Sequence, residues 1–196
     1  MSGASNIDPS VERKGLELRL VMNIGPNWEN VDLLRTAILN CISVIVGNSD
    51  ASNAVGMIVS ELLENAIKYG DWSQDDKGSL LGLHIAGNEE RVEVDVSSPM
   101  APSSKNYEEI KATIEWIGSF ASPQDAYNAR IRMLAEGIEA KSKMGLVRIA
   151  YEGPCSLSPE LSDAGVLHMR ATTYLPADMA RSSTRSMHIN VTSSSS

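Results

Sequence analysis

From Trp28 to Gly70 the chain carries two long helical patterns in succession, and this pair dictates most of what it can become. In the first, Val31, Leu34, Ile38, Ile42 and Ile45 recur at helical spacing, Glu29 and Asp32 lie in the opening turns, and Gly47 is the stop. The second starts near Ser49 or Asp50 as its cap and runs to Tyr69, closed by Gly70. Its apolar stripe is Val55, Ile58, Val59, Leu62, Ala66 and Tyr69. Gly56 interrupts this helix at a cost of ~1 kcal/mol relative to Ala, an expense consistent with a close helix contact at that point.

Strand patterns flank the helices. Leu16, Leu18, Leu20 and Met22 alternate with Glu17 and Arg19 over Leu16–Ile24, and Gly25-Pro26-Asn27 turns the chain. Leu80–Ala86 and Arg91–Val96 lie on either side of Gly87-Asn88 and Glu89-Glu90, the pattern of a hairpin. A Ser/Pro loop over Ser97–Asn106 leads to two helical stretches, Tyr107–Gly118 and Pro123–Ala140, the latter with Ser122 as cap and Pro123 in its first position. A short helix at Gly145–Tyr151 and a strand at Val166–Leu175 complete the order. Long helices with four strong strands predict an α/β two-layer sandwich, a mixed sheet with helices on one face. At 196 residues the chain fits one domain, expected at 15–179 between an N-terminal tail, 1–14, and a Ser-rich tail, 180–196.

Charge narrows the function classes. Lys and Arg number 17 against 25 Asp and Glu, a net −8, which argues against gripping nucleic acid or an anionic membrane through bulk charge. A polyanionic ligand would need local devices: a metal ion, a helix N-terminus, a few placed lysines. Cys41 and Cys155 have no metal-ligand or redox spacing, which predicts neither a disulfide scaffold nor a zinc finger and points to a reducing cytoplasm. Neither a signal peptide nor a membrane span is visible, so a cytoplasmic location is expected. His84 and His168 lie in strand patterns and His188 in the tail, none with the surroundings of a phospho-acceptor helix.

The stretch most able to carry chemistry is Ile58–Gly70. Glu61 and Asn65 are four residues apart, neighbours on one helix face, with Lys68 a turn further along. Asn offers a neutral oxygen to Mg²⁺, and Glu can orient or deprotonate an attacking hydroxyl or water. The spacing alone also fits a plain solvated face of an amphipathic helix.

The run Glu61–Gly70, ELLENAIKYG, resembles the N-box of the GHKL (Bergerat-fold, histidine-kinase-like) ATPases. In layout it is closest to the anti-sigma factor serine kinases of bacterial partner-switching systems, over about Leu16 to Pro176. The resemblance implies ATP or ADP with Mg²⁺ as ligand, Asn65 as the Mg²⁺ ligand, and Glu61 as general base or its orienter. It implies a regulatory protein partner, an antagonist domain or sigma-like factor, and is compatible with a homodimer. Activity, if present, would be that of a serine/threonine-protein kinase of the anti-sigma type.

The family's other boxes depart from the pattern. Where it carries an adenine-reading Asp-x-Gly-x-Gly, this chain has Val96-Ser97-Ser98-Pro99-Met100, with Ser97 or Ser98 in the Asp slot. Asp95 is one pleat away and is expected to face the other side. Of the second glycine box only Gly145-Leu146 survives, after Lys141-Ser142-Lys143-Met144, whose Lys143 is either a phosphate-binding charge or a surface lysine. The flexible ATP lid is replaced by a helical insert at about 107–140. Two readings follow: an ATP-binding regulator that phosphorylates a partner or binds it in a nucleotide-dependent way, and a degenerate protein-binding module with little or no ATP binding. A third, an unrelated α/β protein, requires the N-box match to be chance.

Overall fold

The computed structural model describes residues 16–22, 28–46, 49–72, 81–87, 91–138, 144–174 and 189–191. The elements are β1 (Leu16–Met22), α1 (Trp28–Val46), α2 (Ser49–Tyr69), β2 (Leu81–Gly87), β3 (Arg91–Pro99), α3 (Lys105–Gly118), α4 (Pro123–Ala135), α5 (Met144–Glu152), β4 (Cys155–Leu161), β5 (Val166–Tyr174) and β6 (Ile189–Val191). They build a two-layer α/β fold on a six-stranded sheet of order β4-β5-β3-β2-β1-β6. Every neighbouring pair is antiparallel except β1 with β6, which makes the sheet mixed.

Alternation decides which face is covered. Leu81, Leu83 and Ile85 on β2, Val92, Val94 and Val96 on β3, and Leu167, Met169 and Ala171 on β5 are all buried. They form one core with Val31, Leu34, Ile38 and Ile42 of α1 and with Val55, Ile58, Val59, Leu62 and Leu63 of α2. The opposite face carries charge. Asp95 accepts from His168 Nδ1 at 3.0 Å and from Arg170 Nη2 at 3.2 Å, and Arg170 pairs with Glu93 at 3.4 Å. Asp95 therefore points away from the helices, as the pleat requires. Gly56 is buried where α1 and α2 meet: a Cβ there would stand 2.7 Å from Leu39 Cγ.

The elements depart from sequence expectation in four places. β4 is unanticipated: Ser156, Ser158 and Glu160 weaken its apolar pattern and Pro159 argues against a strand, yet β4 is a sheet edge, where proline is accommodated. β3 runs on to Pro99 because β5 pairs with it as far as Val166, so Ser97–Pro99 are strand rather than loop. α4 ends at Ala135, not Ala140. Gly137 adopts φ 71°, its N–H bonds to Leu134 O and that of Ile138 to Met133 O, a Schellman stop. Ile189–Val191, within the segment expected as a tail, pairs with β1 as β6. The expected N-terminal tail lies outside the described residues.

Candidate functional site

The second half of α2 is fixed from several sides. Trp72 Nε1 folds back to donate to Ala66 O, which also accepts from Gly70 N, and to Ile67 O, a carbonyl the helix end leaves open, both at 3.1 Å. Asp71 N donates to Pro99 O at 2.8 Å and ties the helix exit to the end of β3. Asn106 Nδ2 at the start of α3 donates to Tyr69 O at 3.2 Å. The end of α2 is thereby tied to β3 and α3, while the first turn of α5 lies against its Glu61 and Asn65.

Between them lies a cavity of about 120 Å³. Its floor is apolar, from Leu62 and Ala66 of α2, Val96 and Met100 at the end of β3, and Leu167 and Met169 of β5. α3 supplies a mixed wall, Asn106, Glu109, Ile110 and Thr113, and α5 supplies Leu146. This volume is similar to the ~150 Å³ apolar cavities that take up one benzene ring. One planar ring matches the scale; a fused purine would enter with one ring and extend to the mouth, and a polyphosphate chain would lie outside it.

Several residues singled out in the sequence converge here. Asn65 lines the cavity, and its Nδ2 is buried without a hydrogen-bond partner. A Cβ on Gly145 would stand 3.0 Å from Glu61 Oε2 and 3.3 Å and 3.4 Å from the two amide atoms of Asn65, so the bare backbone of α5 lies directly against both side chains. Leu146 and Ser98 line the same cavity. Strand parity decides between the two serines: Ser98, 2% exposed, shares the inward face of Val94 and Val96, whereas Ser97 turns outward with Asp95 and packs its Oγ over Gly82. Lys68 is exposed, its Nζ 5.0 Å from the ring centroid of Tyr69, and is not part of the cavity wall. Lys143 lies outside the described residues.

Sequence reasoning missed Arg148. Its Nη1 donates to Glu61 Oε1 at 2.9 Å across 87 residues of chain, and its Nε donates to Glu152 Oε2 at 3.0 Å. The available signal was its place one turn after Gly145 in a short amphipathic helix. The walls from α3 were missed as well, because they depend on how that helix docks.

Glu61 titrates above the usual carboxylate value of 4.5, because burial outweighs the attraction of Arg148, with Glu64 and Glu152 adding repulsion. The stability Glu61 contributes is therefore full below pH 4.5 and is lost as pH rises through its higher folded-state value. The difference in unfolding free energy between wild type and Glu61→Gln, followed by urea titration across this range, is expected to fall with rising pH. A rise would mean that the Arg148 pair outweighs burial.

Other chemistries have less support. The Cys155 thiol is pushed up to about 12 by burial, which removes it as a nucleophile at neutral pH. Among the described residues no group of three His, Cys, Asp or Glu could hold a metal ion. A divalent ion here would thus depend on the Asn65 oxygen together with oxygens of a bound ligand, the partnership Mg²⁺ commonly makes with phosphates. None of the described helices is long and apolar enough to cross a membrane.

No protein-family model matches the chain, and no curated protein matches its sequence. The fold has a solved counterpart, a chain of the SiaB–SiaC complex from Pseudomonas aeruginosa. The two align with a TM-score of 0.57 at 16% identity, over 83% of this chain and 92% of that one. At such identity the likeness establishes a shared fold.

Proposed function

We propose that the protein is a regulator that acts on a protein partner and binds an adenine nucleotide with Mg²⁺ in the cleft between α2, α3 and α5. The observation that carries this reading is Asn65: an amide with a buried, unpartnered nitrogen, at the edge of a ring-sized apolar cavity, with the bare backbone of Gly145 against it. A buried polar atom without a partner is costly, and a bound ligand is one reason to retain it. In this reading the base sits over Leu62, Val96 and Met169, the Ser98 hydroxyl lies in the cavity to meet its polar edge, and Asn65 offers its oxygen to Mg²⁺. Bound there, Mg²⁺ would neutralise phosphate charge. The partner reading draws on the fold shared with a chain from a complex named for two proteins. Control of that partner by nucleotide-dependent binding, as in anti-sigma factor regulation, fits this site better than rapid Ser/Thr phosphorylation, since Glu61 is held by Arg148.

A second reading, a protein-binding module without nucleotide, is favoured by Met100. With Ser98 in the slot of the family's adenine-reading Asp, Met100, 2% exposed, stands where the first glycine of that box would be. Titration calorimetry with MgATP and MgADP separates the two. The nucleotide reading expects micromolar binding, weakened about 10- to 100-fold by Asn65→Ala through loss of a bond to a charged group. No heat up to millimolar nucleotide leaves the module.

A further inference from the structure

Arg148 spans the gap between the two helices that frame the cleft. On one side its Nη1 holds Glu61 of α2 at 2.9 Å, and on the other its Nε holds Glu152 of its own helix at 3.0 Å. The Arg148 side chain is 46% exposed and that of Glu61 is 17% exposed, so the cation stands on the rim above a mostly buried carboxylate. An arginine fork has five N–H donors, and these two bonds engage only two of them. Glu61 Oε2 and the Asn65 amide both face the bare backbone of Gly145. Glu61, Asn65, Gly145 and Arg148 thus form one cluster at the cleft, which meets the ring-sized cavity through Asn65.

Two needs meet at this rim. In the nucleotide reading the base enters a cavity of about 120 Å³ and the phosphates lie on the side of Asn65, whose oxygen is offered to Mg²⁺. The chain has a net charge of −8 and offers no bulk attraction for them. Arg148 has the chemistry required: a planar, permanently charged fork that matches phosphate oxygens in pairs. We infer that Arg148 is the phosphate-binding residue of this site and that it exchanges Glu61 for the di- or triphosphate of the incoming nucleotide, while Glu152 keeps hold of Nε. This assignment rests on the nucleotide reading above. Its consequence is that arrival of the phosphates and release of the Glu61 carboxylate are a single event, so the rim responds to phosphate and not to the base alone.

The test compares adenosine, AMP, ADP and ATP, the phosphorylated ligands with Mg²⁺, by calorimetry on wild type, Arg148→Ala, Arg148→Lys and Glu61→Gln. For wild type, ADP is expected to bind more tightly than adenosine. Arg148→Ala should lower ADP affinity about 10- to 100-fold and leave adenosine within about twofold, with Arg148→Lys in between because it keeps charge but not the fork. Glu61→Gln removes a charged competitor for the guanidinium and should strengthen ADP binding severalfold. Unchanged ADP affinity in Arg148→Ala, or an equal loss for adenosine and ADP, overturns the assignment while the nucleotide reading stands. Wild-type protein that binds none of the four overturns the nucleotide reading, and the assignment with it.

Discussion

Truncating Leu63 to Ala is expected to destabilise the protein by about 2–5 kcal/mol, the range for a leucine emptied from a packed interior. Leu63 is 0% exposed. It lies two turns beyond Gly56 and therefore on the same side of α2, the side on which Gly56 meets Leu39 of α1. Neighbouring Leu62 faces the cavity instead. The void left by Leu63→Ala would be closed, wedged between helices already brought close by a glycine, with little freedom to collapse. For a domain of this size the midpoint of thermal unfolding should fall by on the order of 10 °C. Leu33 on the outer side of α1 is 72% exposed, and Leu33→Ala should stay within about 0.5 kcal/mol of wild type. Urea denaturation of both variants checks the pair. Equal effects would mean that α2 is not enclosed between α1 and the sheet.

The same helix shows why much of the fold was legible. Its apolar positions, its start at Ser49 and its glycine stop are local signals, and local signals also mark α1, the β2–β3 hairpin and β5. β4 was hidden because an edge strand with Pro159 and alternating serines lacks the density of apolar residues that marks an inner strand. The ends of β3 and α4 were missed for different reasons. β3 is prolonged by its neighbour β5, a tertiary effect, whereas the α4 stop at Gly137 is a local signal that the apolar residue Ile138 just beyond it masks.

The site divides in the same way. Glu61 and Asn65 are linked by helical spacing within one element, and Gly145 meets them across the fold. The choice of Ser98 over Ser97 needed the strand register, since a shift of one residue exchanges the two faces. Asn106, Glu109 and Thr113 reach the cavity because α3 packs across its mouth, with Ile110 and Ile114 against the core. Arg148 belongs to this second group: an arginine in a short helix reads as surface until its partner on α2 is known. The residues that line the cleft from α3 are those for which sequence spacing carries no information.

Gly145→Val is the substitution expected to act most strongly on the cleft with least effect on the fold. The glycine lies in the first turn of α5, where a side chain improves helix propensity slightly. Even a single Cβ would stand 3.0 Å from Glu61 Oε2 and 3.3 Å from Asn65 Nδ2, tighter than ordinary contact, and the two further methyl groups of valine would enter the space the proposed phosphates and Mg²⁺ occupy. The atoms that must yield are the ends of two flexible side chains rather than backbone, so the unfolding midpoint should move by no more than a few degrees. Overpacking of this kind costs a ligand about 1–3 kcal/mol, which predicts a loss in MgADP affinity approaching 100-fold. Gly145→Ala, with one carbon added, should lose far less. Adenosine supplies the control within the same titration: α5 lines the cavity through the Leu146 side chain and not through Gly145, so adenosine affinity should survive Gly145→Ala and fall far less than that of MgADP in Gly145→Val. A Gly145→Val protein that is folded and binds MgADP as wild type does would place the phosphates elsewhere and remove the α5 turn from the site.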